Sequence, residues 1–213
     1  MPTLRERWAS TWQHLSPALP PPTLPAALLA DLEARYREPQ RHYHTLQHLE
    51  ECFAALDAVR PDVADAAAVE LALWFHDAVY DVHRRDNEAR SADLAVASLR
   101  GAGLPDALVA RVAALILATR DHDAADADAD AAALLDADLA ILGAAPARFD
   151  EYERQIRAEY AHVPDDVFVP ARRRILDEFL HRPSLFATPG FRTRFGRQAR
   201  VNLETALRRL ARP

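Results

Sequence analysis

The sequence contains no lysine, so all 26 basic residues among its 213 are arginine. P-loop nucleotide binding, Schiff-base chemistry and the catalytic lysine of kinases are excluded together, because each requires an ammonium at a fixed place. Glycine is nearly as scarce: the five, at 101, 103, 143, 190 and 196, fit no GxGxxG, GxSxG or Walker loop, and the usual dinucleotide fold goes with them. The single cysteine, Cys52, can close no internal disulfide. No run near eighteen apolar residues follows the charged opening MPTLRERW. Neither a signal segment nor a membrane span is therefore expected, and the chain reads as cytoplasmic. The net charge of -6, with no long basic cluster, lacks the electrostatic footprint of a protein that tracks a phosphate backbone. A nucleic-acid polymer is not an expected partner. A small phosphate ester stays open, since a bound metal and two or three Arg can supply positive charge inside an acidic protein.

What is present is apolar and helical. Hydrophobic residues make up 50% of the chain, enough for one sizeable core, so a single domain over 1–213 is expected. Alternating β-branched runs are almost missing, which places the fold in the all-α class, a bundle of about nine or ten helices without significant sheet. An opening helix carries Trp8 and Trp12, an extended connector runs from Pro17 to Pro25, and helices follow near 25–37, 45–60, 63–77, 88–101, 105–119, 131–143, 146–161, 166–181 and 190–211. Trp8, Trp12, Trp74 and Phe75 read as packing rather than as platforms for a base. The final helix sets Leu203, Leu207 and Leu210 among arginines, a stripe that suits a homo-oligomer contact or the core equally. The acidic stretch Asp121 to Ala133 reads as a solvated loop. As a calcium loop starting at Asp126 it fails, because the required Gly and Glu positions hold Ala131 and Ala137.

Nine His and twenty Asp in 213 positions give about one His-Asp pair by chance, so context must separate the two that occur. His122-Asp123 sits in the acidic loop, whereas His76-Asp77 ends the run VELALWFHD, apolar on every helical face. Only the latter is expected to be buried, and a buried carboxylate needs a cation or donors to compensate it. In LLDADLAIL, Asp138 shares an apolar stripe with Leu134, Leu135, Ile141 and Leu142, while Asp136 faces the milder alanine side. Asp138 is the carboxylate expected to point inward. In RHYHTLQHLEECFAAL, His44 and His48 lie one helical turn apart, and His48 is followed on its own face by Cys52, Ala55 and Val59. Two imidazoles and two carboxylates would suit one divalent ion such as Mn, Fe, Mg or Zn and leave room for water and substrate.

The series His48, His76-Asp77, Asp138 resembles the H…HD…D signature of the HD-domain superfamily, helical metal-dependent phosphohydrolases. The strings RHYHTLQHLE, ALWFHDAVYD, NEARSA, LLDADLAILG and ARVNLE are similar to a bacterial branch of predicted HD phosphohydrolases, from Trp8 to about Leu210. The resemblance implies that His48, His76, Asp77 and Asp138 hold a metal ion, and that hydroxide formed there attacks phosphorus in a small ester such as a nucleotide. YHxxxH at Tyr43 to His48 resembles the opening motif of cyclic-nucleotide phosphodiesterases, which makes His44 the expected proton donor to the leaving oxygen. Asp81 stands where several HD hydrolases carry an acidic residue beside the attacking water, although Tyr80 replaces a Glu found in some relatives. Its alternative is a loop residue closing a helix end.

Substrate recognition is expected from arginine, whose planar donors match phosphate. Arg41, three residues before His44, is best placed, with Arg200 second and a solvated helix charge as the alternative for it. Asn87 and Glu88 could orient ligands from outside the metal, but DNE before a helix also reads as an N-terminal cap. His122 falls where some HD proteins recruit a second metal; a metal or substrate contact is open for it, while a single ion is favoured. His14, His42, His83, His162 and His181 are expected at the surface. Two other readings stay open: an HD-like di-iron oxygenase, and a binding module in which a metal only braces the fold.

Overall fold

The computed structural model describes residues 2–15, 23–58, 63–122 and 127–211. Among them are ten α-helices and no strand. They are α1 (Leu4–Leu15), α2 (Thr23–Arg35), α3 (Leu46–Asp57), α4 (Ala66–Phe75), α5 (Asn87–Gly101), α6 (Asp106–Ala118), α7 (Ala129–Asp138), α8 (Pro146–Glu159), α9 (Asp165–His181) and α10 (Pro189–Leu210). The all-α expectation therefore holds, helix by helix. The expected connector at Pro17 to Pro25 lies outside the described residues up to position 22, as does Asp123. No described helix is long and apolar enough to cross a membrane.

Short polar residues set the helix starts. Thr45, Asp65, Asp128 and Thr188 each accept a bond from a backbone N–H in the first turn of α3, α4, α7 and α10. Such a cap contributes about 1 kcal/mol by satisfying one of the unpaired donors at a helix start. Pro146 and Pro189 occupy first-turn positions, where a missing N–H is harmless. Helix α2 begins at Thr23, inside the expected connector, and two further boundary differences bear on chemistry. Helix α3 begins at Leu46, so His44 precedes it instead of sharing its face. One helix over 131–143 was expected, but α7 stops at Asp138 and a 3-10 segment, Leu139–Gly143, continues it. That segment lies tight against α10: a Cβ on Gly143 would stand 2.5 Å from Phe195 Cβ. Asn202 of α10 donates to the carbonyls of Leu142 and Ala144 at 2.8 and 2.9 Å, so the tail string ARVNLE serves as a strap.

Helix α4 is the axle of the bundle. It packs against α1, α3, α5, α6 and α7, and every residue from Ala68 to Phe75 is buried. Trp74 is completely enclosed, its ring edge-on to Trp8 at 5.1 Å, while Trp8 Nε1 donates to Pro25 O at 2.8 Å. A fully buried side chain of this size contributes about 1.5–3 kcal/mol, which makes the C-terminal end of α4 a rigid mount. His76 and Asp77 emerge there.

Candidate metal centre

Three chain segments converge at the end of α4. His76 caps α4, its Nδ1 pairs with Leu73 O at 2.8 Å, and this leaves Nε2 as the free face of the ring. His48, in the first turn of α3, brings its own Nε2 to within 3.2 Å of that atom. Asp77 Oδ2 lies 3.1 Å from the His76 nitrogen and 3.5 Å from that of His48. Asp138 Oδ1, at the last turn of α7, meets the same pair at 3.6 and 3.2 Å. Each carboxylate thus meets both imidazoles, which are 1% exposed. A fifth donor joins them: Cys52 Sγ stands 3.6 Å from both ring nitrogens of His48. Donor atoms of His48, Cys52, His76 and Asp138 fall within 4.8 Å of one another, a buried group that could hold a metal ion. The sequence reading used Cys52 only to mark an apolar face; its place one turn after His48 was the available signal.

The electrostatics suit a cation. Burial alone would push both carboxyls up, but the nearby imidazoles, His76 first, hold Asp77 and Asp138 well below the usual carboxylate range. Burial would likewise lower both histidines. It is outweighed by Cys52, Tyr43 and both carboxylates at His48, and by Asp77, Tyr36 and Asp138 at His76, so each is held well above 6.5. Facing nitrogens 3.2 Å apart have room for one proton between them.

The cluster opens onto a cavity of about 570 Å³, walled by α7, α8, α9 and the 3-10 segment. His44 lines it, stacked on Tyr80 at 4.0 Å. His44 Nδ1 pairs with Glu159 Oε2 at 2.8 Å, Tyr80 donates to the same oxygen at 2.9 Å, and Glu159 Oε1 accepts the backbone N–H of His42, Tyr43 and His44 at 2.9, 2.7 and 3.0 Å. Burial raises the Glu159 carboxyl, but these donors, led by His44, bring it down to about 2. Glu159 was missed from the sequence. It extends the buried stripe Phe149, Tyr152, Ile156 of α8, so the test that singled out Asp138 would have found it. His122 also lines the cavity, its Nε2 paired with Asp138 Oδ2 at 2.8 Å and its φ of 47° in the left-handed region.

Several expectations are corrected. Arg41 does not face the cavity: its side chain is fully enclosed, donating to Asp77 O at 2.6 Å, Ala78 O at 3.1 Å and His44 O at 3.3 Å. It satisfies the carbonyls left open where α4 ends and so anchors the His-Asp turn. Arg200 lies on the surface, donating to Leu180 O at 3.2 Å and Arg182 O at 3.3 Å. Asp81 faces a different cavity, its carboxylate closing a turn on His83 N at 2.9 Å. Asn87 pins that loop by exchanging two bonds with the Asp81 backbone, at 3.2 and 3.0 Å. The cap expected from DNE is absent: Asp86 makes no side-chain cap bond and pairs with Arg84. Glu88 lines the cavity beside the donor cluster, near Arg120. Asp136 is not on a mild face; buried to 2%, it accepts Ala187 N and Thr188 N at 2.7 Å each, holding the start of α10. His14, His42, His83, His162 and His181 are exposed, as expected. No protein-family model matches the chain, and no curated protein or solved structure does either.

Proposed function

We propose that the chain is a metal-dependent phosphohydrolase of the HD type, cleaving a small phosphate ester in the cavity above the donor cluster. The observation that carries this reading is the approach of Asp77 Oδ2 and Asp138 Oδ1 to within 3.6 Å of both His48 Nε2 and His76 Nε2, beside an open cavity. The donor set fits a divalent ion: two imidazole nitrogens and two carboxylates, with a thiol beside them, favour Zn, Mn or Fe over Mg, which prefers oxygen alone. Bound there, such an ion supplies an activated water and polarises a phosphoryl oxygen.

The remaining steps belong to the chain. Glu159 fixes His44 Nδ1, so Nε2 is the atom offered to the cavity, and stacking on Tyr80 holds the ring in place. From Nε2 a proton passes to the departing alkoxide as the ester P–O bond breaks. His122 steadies Asp138 through its second oxygen. Apolar walls from Leu139, Ile141, Ile156 and Phe168 exclude bulk water from the reacting centre. Metal analysis of the purified protein, followed by a panel of phosphate esters and nucleotides, tests the reading. One transition metal per chain and phosphate release abolished by Asp77→Ala are expected; release at full rate in Asp77→Ala removes the cluster from the mechanism.

A further inference from the structure

Neither Arg41 nor Arg200 reaches the cavity, but an arginine from another helix does. Arg172 of α9 lines it and is 7% exposed. Its Nη2 donates to Glu153 Oε1 at 2.5 Å, and its guanidinium lies 5.1 Å over the Tyr152 ring. Its Nε, although buried, has no hydrogen-bond partner. Among the described residues only four buried side-chain atoms share that condition, and two of them, Arg172 Nε and Tyr43 Oη, belong to residues that line this cavity. The other two, Trp12 and Trp74 Nε1, sit in the indole cluster of the core. Buried donors are normally paired, so two orphans flanking one ring, Tyr152, call for an acceptor-bearing ligand. A guanidinium offers phosphate or carboxylate the strongest such bond.

The apolar lining has a different character. Val167 and Ile175, also on α9, are 56% and 39% exposed, and both line the cavity. Tyr160, Phe168 and Phe179 extend that lining; besides the cluster end and Arg172, its polar residues are Glu88, Thr119 and Arg120, whose guanidinium is exposed and paired with Asp121. We infer that Arg172 is the anion-recognising residue of the cavity, and that its ligand is a phosphate ester with an apolar body lying against Val167 and Ile175. This rests on the phosphohydrolase reading for the reaction, but not for the binding.

Calorimetric titration with inorganic phosphate and with phenyl phosphate, on chelator-treated and on Mn-loaded protein, tests the inference. Arg172→Met should weaken both probes at least tenfold, the loss of a charge-assisted bond. The double variant Arg172→Met, Glu153→Gln leaves no carboxylate unpaired and should show the same loss in a protein that melts like the parent. Ile175→Asn should weaken phenyl phosphate by about fivefold and leave inorganic phosphate unchanged. Parent-like phosphate affinity in both Arg172 variants overturns the inference, as does a parent protein that binds neither probe in either form. Arg172-dependent binding without phosphate release or bound metal would sustain the subsite and sink the hydrolase.

Discussion

Beneath α1, Arg7 stands between Glu70 at 3.2 Å and Asp57 at 2.6 Å, and Thr11 donates to Glu70 as well. At the end of α4, His48, His76, Asp77 and Asp138 meet with no permanent cation among them. Both groups are buried and both join distant parts of the chain. In the first, a guanidinium that cannot lose its charge already pairs with both carboxylates. In the second, the compensation comes from imidazoles, whose protons an ion can replace. The contrast separates a structural ionic lock from a group suited to exchange its cation. Burial alone does not tell them apart; the titratability of the cation does.

The largest effect should come from breaking the Arg7 cluster. Arg7→Met removes the guanidinium that joins Glu70 to Asp57 and is expected to lower unfolding stability by about 3–5 kcal/mol in urea titrations, with no rescue by divalent ions. Asp138→Asn, by contrast, should abolish metal binding while moving the metal-free midpoint far less. Equal stability losses in the two variants would erase the distinction.

Glu159 stands between the two cases, sealed by backbone donors on one oxygen and holding a cavity histidine with the other. Its folded pKa of about 2 lies below the ordinary 4.5. The stability it confers is therefore fully present above pH 4.5 and is lost as pH falls from 4.5 towards 2, a loss of about 3 kcal/mol. Unfolding midpoints measured between pH 6 and 2 should fall more steeply for the parent than for Glu159→Gln. Parallel curves would mean that the donors contribute equally to the protonated acid.

How much of this was legible in the sequence depended on locality. Helices α4 to α6 and α8 to α10 followed from apolar periodicity, with side-chain caps at α4 and α10 and a first-turn proline at α8, whereas α7 was read through to 143 and stops at Asp138. The four cluster residues were legible because each is a charged or polar group on a stripe that is otherwise apolar. Glu159 and Arg172 obeyed the same rule, on the stripes through Ile156 and Leu176, but no short motif drew attention to them. Arg41 was misjudged for the opposite reason. Proximity to His44 in sequence suggested a ligand contact, whereas the carbonyls it serves belong to Asp77 and Ala78, which only tertiary structure brings near. Asp136 failed similarly: the N–H groups that bury it come from Ala187 and Thr188.

Loading the second cluster should stabilise the protein by about 2.7 kcal/mol at an ion concentration a hundredfold above the dissociation constant. Because the imidazole pair is held well above 6.5 without an ion, uptake near neutral pH must displace imidazole protons. Metal affinity is therefore expected to rise with pH, and zinc added to weakly buffered protein should acidify the solution. A pH-independent affinity would show that the nitrogens are already bare, and that the second cluster is preformed as firmly as the first.

The smallest change in stability, and the finest separation of the two clusters, is expected at His122. Its φ of 47° is a conformation that costs a non-glycine residue about 1–2 kcal/mol, while its bond to Asp138 at 2.8 Å contributes about as much. The contact with Arg182 uses the His122 carbonyl and survives any side-chain change. In His122→Gly the relieved backbone and the lost bond should nearly cancel, leaving the unfolding midpoint of metal-free protein almost where it was. Metal affinity should not be spared, because Asp138 then loses the partner that fixes its second oxygen. A weakening of about 10–100-fold in zinc titrations is expected. Removal of a partner from the Arg7 cluster can produce no such split, since there the same contacts both fold the chain and satisfy the charge. Unchanged zinc affinity in His122→Gly would place His122 outside the centre and leave Asp138 held by His48 and His76 alone.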